Sequence, residues 1–224
     1  MLRALWLASE SLLPHECAFV RLLMPTGQRR DIIAKLQWSE VRLQEEIPHF
    51  LFKQTRSKNS RAYMLPITPQ ILDVLQSLKR FEGFDYVTAV PGNDGRPLSA
   101  FTHVKEKLVP IMQRQLEGRY YDWRFHDLRR VMKSGMAQLG VDGRVSELCL
   151  AHSPSWETKV EPHYNVYGYV LEKTDAMRRY NEYLMRTIFP ERYTPEERAK
   201  DELTAKLAKV PADKLATLLE LLRN

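Results

Sequence analysis

Two short basic clusters in this chain have residue types and spacing suited to binding a phosphate. In Thr26-Gly-Gln-Arg-Arg30 a tight turn delivers two arginines to the start of a helix. Guanidinium presents a planar fork of donors that matches phosphate oxygens, and a helix N-terminus adds partial positive charge beside it. In Trp123-Arg-Phe-His-Asp-Leu-Arg-Arg130, His126 and Arg129 stand three apart, so on a helix they share a face and can reach one ligand. Three further positions extend this inventory: Lys58 within the basic stretch 53–61, His152 in Cys149-Leu-Ala-His-Ser153, and Tyr164 in His163-Tyr-Asn-Val-Tyr167. Each has a bland counterpart. The arginines can be a solvated turn, Asp127 can pair with its neighbours at the surface, Lys58 can be an ordinary turn lysine, His152 a cap, and Tyr164, Tyr167 and Tyr169 packing residues.

The elements that must carry these side chains are mostly helical. Leu2, Leu5, Trp6, Leu12 and Leu13 fall near one stripe, and the apolar run Ala18 to Met24 stops at Pro25-Thr26-Gly27. A short helix with Ile32, Ile33 and Leu36 on its apolar side follows that turn. From Trp38 to Ile67 the period changes to two: Val41/Leu43, Phe50/Phe52 and Tyr63/Leu65/Ile67 alternate with polar residues, which predicts a small antiparallel sheet with Lys58 on a basic hairpin tip. Thr68-Pro69 reads as an N-cap with proline at the first helical position, and Pro91-Gly-Asn-Asp-Gly95 as a loop. Helices are predicted at about 99–116, 125–139, 143–151 and 169–187, with Phe125, Leu128 and Met132 turned toward the core. The tail opens on a capping box, Thr194-Pro-Glu-Glu197, and ends in an amphipathic set at Leu215, Leu218, Leu219 and Leu222. The fold class is mainly α with a small antiparallel β-sheet.

Composition sets the outer limits. The chain has 224 residues, 44% hydrophobic and 28% charged, which is ordinary globular material with enough apolar side chains for a core. No apolar run approaches the ~18–20 residues of a membrane span, and the start is a poor signal peptide. Cys17 and Cys149 stand alone, which points away from a disulfide scaffold or zinc knuckle and toward a reducing compartment. The net charge is +6, and the tail from Glu191 onward is balanced with seven basic and seven acidic residues, so the whole surplus lies in residues 1–190. That surplus is compatible with nucleic acid, although many enzymes share it.

The order of the clusters says more than any one of them. TGQRR, a sheet with a lysine hairpin, FHDLRR, an AHS histidine and a tyrosine twelve residues later resemble the catalytic domain of the tyrosine recombinases, and within them the phage and genomic-island integrase branch. The resemblance covers about residues 1–187. It implies a catalytic domain over 1–190 with the tyrosine-recombinase fold, and a helical tail over 191–224 that is a candidate for docking between subunits. It implies site-specific cleavage and rejoining of double-stranded DNA at attachment sites, with no metal and no other cofactor, in a synaptic tetramer in the bacterial cytoplasm and nucleoid, encoded by a prophage or genomic island. Arg29 then corresponds to the family's first catalytic arginine, Lys58 to the hairpin lysine, His126 and Arg129 to the H-x-x-R pair, His152 to the second histidine and Tyr164 to the nucleophile, with Tyr167 and Tyr169 as rivals. Arg30, Arg56 and Arg61 are expected to contact DNA.

Two departures qualify the resemblance. Where family members carry an acidic residue three positions after the first arginine this chain has Ile32, with Asp31 one place earlier. The family's N-terminal DNA-binding part is not in this stretch, so weak and salt-sensitive DNA binding is expected of it alone. Three other readings remain: a non-catalytic remnant that binds DNA or a sister recombinase, a type IB topoisomerase-like nicking and closing enzyme, and a zinc hydrolase built on His126, His152 and His163.

Overall fold

The computed structural model describes residues 1–52, 62–90, 95–151 and 169–194, together with 196, 197, 203, 210 and 214. Lys58, Arg56, Arg61, His152, His163, Tyr164 and Tyr167 lie outside the described residues, as do Leu215 to Leu222 of the tail.

Among the described residues the chain is mostly helical, with one three-stranded antiparallel sheet. Helix α1 (Leu2–Ala8) and α2 (Pro14–Thr26) are followed by the short α3 (Arg30–Ala34) and the strands β1 (Val41–Arg42), β2 (His49–Phe52) and β3 (Tyr63–Pro66). Then come α4 (Pro69–Gln76), α5 (Phe101–Leu116), α6 (Phe125–Gln138), α7 (Gly143–Cys149) and α8 (Val170–Ile188).

Helix α2 is the central post. Its Phe19, Val20, Leu22 and Leu23 are completely buried, and it packs on α4, α6 and α8. It begins with Pro14 at the first helical position, where a missing N–H costs nothing, and Glu16 accepts the Leu13 N–H at 3.2 Å. The helix runs through Pro25, which the sequence pattern placed outside it. At the last turn a proline forfeits one hydrogen bond, and the chain turns only at Gly27, in the left-handed region at φ 56°. Leu13 is another correction: expected on the buried stripe, it is 55% exposed because Leu12 and Leu13 are extended and break the helical period. The closest approach of α6 to α8 is at Gly135, where a Cβ would stand 3.0 Å from the Tyr180 ring. The Tyr180 hydroxyl crosses to donate to the Met24 carbonyl at 3.1 Å.

The sheet order is β1-β2-β3, with Phe50 opposite both Val41 and Leu65. Phe50 and Phe52 face the core while Leu51 is exposed, the alternation that a half-buried strand requires. Phe52 stacks on Tyr63 with ring centroids 4.8 Å apart. Strand β3 docks on α8, where the buried Lys173 ammonium donates to the Met64 carbonyl at 3.2 Å. Thr68 occupies the α4 cap position, but its hydroxyl makes no capping bond. Its carbonyl receives the Ile71 and Leu72 N–H groups instead. The capping box at Thr194 and Glu197 is formed in both directions, at 2.8 and 3.2 Å.

Candidate active site

The site is built where α2 ends. Gly27 turns the chain with a positive φ, and a side chain there would meet Met132 of α6, with its Sδ at 2.3 Å and its Cβ at 2.9 Å. Glycine is therefore required both by the backbone conformation and by the close approach of α6. The next residue, Gln28, is buried and acts as a three-way tie. Its Nε2 donates to the Thr26 carbonyl at 3.0 Å and the Cys149 carbonyl at 2.9 Å, and its Oε1 accepts from the Tyr63 hydroxyl at 3.0 Å. One amide thus joins the end of α2, the end of α7 and strand β3. Arg29 follows as the N-cap of α3, with an extended backbone and a half-buried side chain.

Arg129 approaches the same place from α6. It is 3% exposed, and its guanidinium donates to the Gly27 carbonyl at 3.2 Å and to the Leu150 carbonyl. The carbonyls at the end of α7, which have no intrahelical partner, are thus taken by the Gln28 amide and the Arg129 cation, the sign that the helix dipole favours there. Burial pulls the Arg129 pKa down to about 10, and the adjacent Arg29 cation is the next cause. The two arginines are therefore close enough to repel each other, in an arrangement that an anion placed between them would relieve. Immediately after Leu150, Ala151 adopts a left-handed φ of 50°, a turn that alters the chain direction just before His152.

His126 is exposed and lines a cavity of about 590 Å³ together with Arg29, Arg30, Asp31, Phe101, Thr102, Lys105, Arg124 and Phe125. The first turn of α6 is held by Asp127, whose carboxylate accepts the Arg124 N–H at 2.8 Å. Arg30 lies over the Phe101 ring at 4.7 Å, and Asp31 stands 3.5 Å from it. Lys105 pairs with Asp122 at 2.6 Å, which holds the Asp122 carboxyl below its ordinary pKa.

His126 is exposed and opens to the cavity, whereas Arg129, three residues on, is buried and held by two backbone carbonyls. Phe125, Leu128 and Met132 are buried as expected. Ile32 is in the core, so the carboxylate that reaches the cavity is Asp31. Tyr169 is at the other end of α7, where Arg144 donates to its hydroxyl at 3.4 Å. Sequence reasoning passed over Gln28 and Arg124, although both lie inside the motifs it quoted. It had no signal for Tyr63 or Lys105, which join the site only through folding. Among the described residues no group of three or more His, Cys, Asp or Glu is arranged to hold a metal, and no helix is long and apolar enough to cross a membrane.

A model of the phage integrase family matches residues 4–164. The chain belongs to the phage integrase family. The crystal structure of XerA recombinase superposes with a TM-score of 0.52 at 17% identity, covering 86% of this chain and 63% of that one. At that identity the likeness is one of fold, and this integrase-family chain spans about 63% of the XerA recombinase chain. No curated protein matches the sequence.

Proposed function

We propose that this chain is the catalytic domain of an integrase-type tyrosine recombinase, which cuts and rejoins double-stranded DNA at attachment sites. The observation that carries this reading is the convergence of Arg29 and Arg129 beside a basic cavity that His126 lines, in a chain of the phage integrase family. A phosphodiester resists attack because it is anionic and its leaving alkoxide is poor. Arg29 and Arg129 clamp its non-bridging oxygens and stabilise the charge that grows in the transition state. The Tyr164 oxygen attacks phosphorus, the bond to the 5′-oxygen breaks, and a 3′-phosphotyrosine link forms. The phenol, with an ordinary pKa of about 10, loses its proton with help from His126, while Lys58 protonates the departing 5′-oxygen and His152 bonds a phosphate oxygen. The covalent link conserves the bond energy, so rejoining reverses the step without ATP or metal. Residues 191–224 serve docking between subunits of a DNA-bound tetramer, and the setting is the cytoplasm of a bacterium that carries the parent element.

One observation favours a second reading, DNA binding without cleavage: Ile32 is buried in the core where the family carries a carboxylate. Trapping on a nicked suicide duplex bearing a candidate attachment site separates the two. The catalytic reading expects an SDS-resistant complex with the wild type that is lost in Tyr164→Phe and kept in Tyr167→Phe. Salt-sensitive binding with no complex, also when the chain is joined to an N-terminal DNA-binding part, supports the second.

A further inference from the structure

The cavity beside Arg29 carries more positive charge than one phosphodiester calls for. Its walls hold four permanent cations, Arg29, Arg30, Lys105 and Arg124, against the single carboxylate of Asp31. Its volume is about 590 Å³, and it is open to solvent. A lone phosphate would leave most of that space empty. Arg29 belongs to the scissile phosphate, and Arg30 is taken up by the Phe101 ring it covers. That leaves Lys105 on α5 and Arg124 at the start of α6.

These two cations are available to a ligand. Lys105 is held by Asp122 at 2.6 Å and lies 5.7 Å from the Trp123 ring centre, so its direction is set before anything binds. Its partner carboxylate is 78% exposed and screened by solvent, so a phosphate competes with Asp122 for the ammonium. Arg124 is exposed, and among the described residues its guanidinium makes no hydrogen bond. A ligand with several anionic groups in series suits cations that share one cavity, and a DNA strand supplies them continuously.

We propose that the cavity is a second phosphate subsite for the cleaved strand, in which Lys105 and Arg124 hold the phosphodiester adjoining the scissile one. The proposal rests on the recombinase reading above. It adds two residues that bind and position DNA without touching the reacting atoms.

The test uses the full chain, its Lys105→Gln and Arg124→Gln variants, and duplexes in which one neutral methylphosphonate replaces the phosphate on either side of the scissile one. Arg124 is exposed and Lys105 half-buried, and thermal melting checks that each variant keeps the fold. Each variant is expected to reduce the slope of log binding constant against log salt by about 1. Each should weaken binding roughly tenfold. On one of the two methylphosphonate duplexes, wild type and variants should bind alike, because the charge they differ in recognising is gone. Unchanged salt slopes, or a methylphosphonate penalty as large in the variants as in the wild type at both positions, overturn the subsite. The salt slopes need no cleavage, so they decide the subsite even if the wild type is never trapped, an outcome that counts against the catalytic reading alone. A wild type that does not bind DNA overturns both.

Discussion

Replacing Arg129 by methionine should abolish the chemistry while costing the fold little, because the terms for stability oppose one another. The guanidinium is 3% exposed, and its pKa falls well below the ordinary guanidinium range to about 10, through burial first and Arg29 second. At about 1.4 kcal/mol per pK unit, keeping it charged inside the protein costs about 3 kcal/mol. Methionine removes that cost and fills much of the same volume. Against this, the Gly27 and Leu150 carbonyls lose their donor, at about 1–3 kcal/mol each. The net change lies between slight stabilisation and a loss of about 3 kcal/mol, which for a chain of this size moves Tm by no more than roughly 10 °C. Because the folded pKa is below the unfolded one, the wild type carries its full penalty at every pH below about 10 and sheds it only as pH rises beyond that. The stability difference between Arg129→Met and wild type should therefore be flat from pH 6 to 9. Urea unfolding at both pH values measures that, and trapping on a suicide duplex should show a rate lower by about 10²–10³. A variant that unfolds in buffer would make Arg129 a structural staple first. A stable variant that still cleaves at the wild-type rate would remove it from the clamp. Either result refutes the reasoning.

Gly27→Ala should lose about 2 kcal/mol or more, since it forces a side chain into a left-handed backbone and 2.9 Å from the Met132 Cβ. It should also slow cleavage by displacing the carbonyl that holds Arg129, measured by unfolding and trapping on one preparation. Lys173→Met should leave the urea midpoint at pH 7 unchanged or raised, because burial lowers the lysine pKa and the wild type bears that cost while charged. The wild type should recover relative to the variant as pH rises toward 10.5, and a gap that widens instead would contradict this. Tyr169→Phe should keep the covalent complex that Tyr164→Phe loses, because the Tyr169 hydroxyl is engaged by Arg144 at the far end of α7.

Much of the frame was legible along the chain because its signals are local. Helical period, proline and glycine punctuation and strand alternation placed α5 to α8 and the three strands within a residue or two, and the capping box at Thr194 and Glu197 formed as read. Local rules failed where packing had a stronger claim. Pro25 stayed in its helix because only the last turn was at stake, Leu13 left the apolar stripe because the chain straightened beneath it, and the Thr68 hydroxyl gave up its capping role to its own carbonyl.

The candidate site divides in the same way. The sequence by itself determined which residues have phosphate chemistry and in what order they come, because residue type and order are properties of the chain, and the family match over 4–164 rests on them. Tertiary structure alone decided that Arg129 is buried on the Gly27 and Leu150 carbonyls, that Gln28 ties three elements together, and that Lys105 and Arg124 share a cavity with Arg29 and His126. Those arrangements depend on carbonyls at helix ends needing donors from elsewhere in the molecule. Gly27 and Leu150 are both far along the chain from Arg129, and no spacing rule connects them before the helices pack.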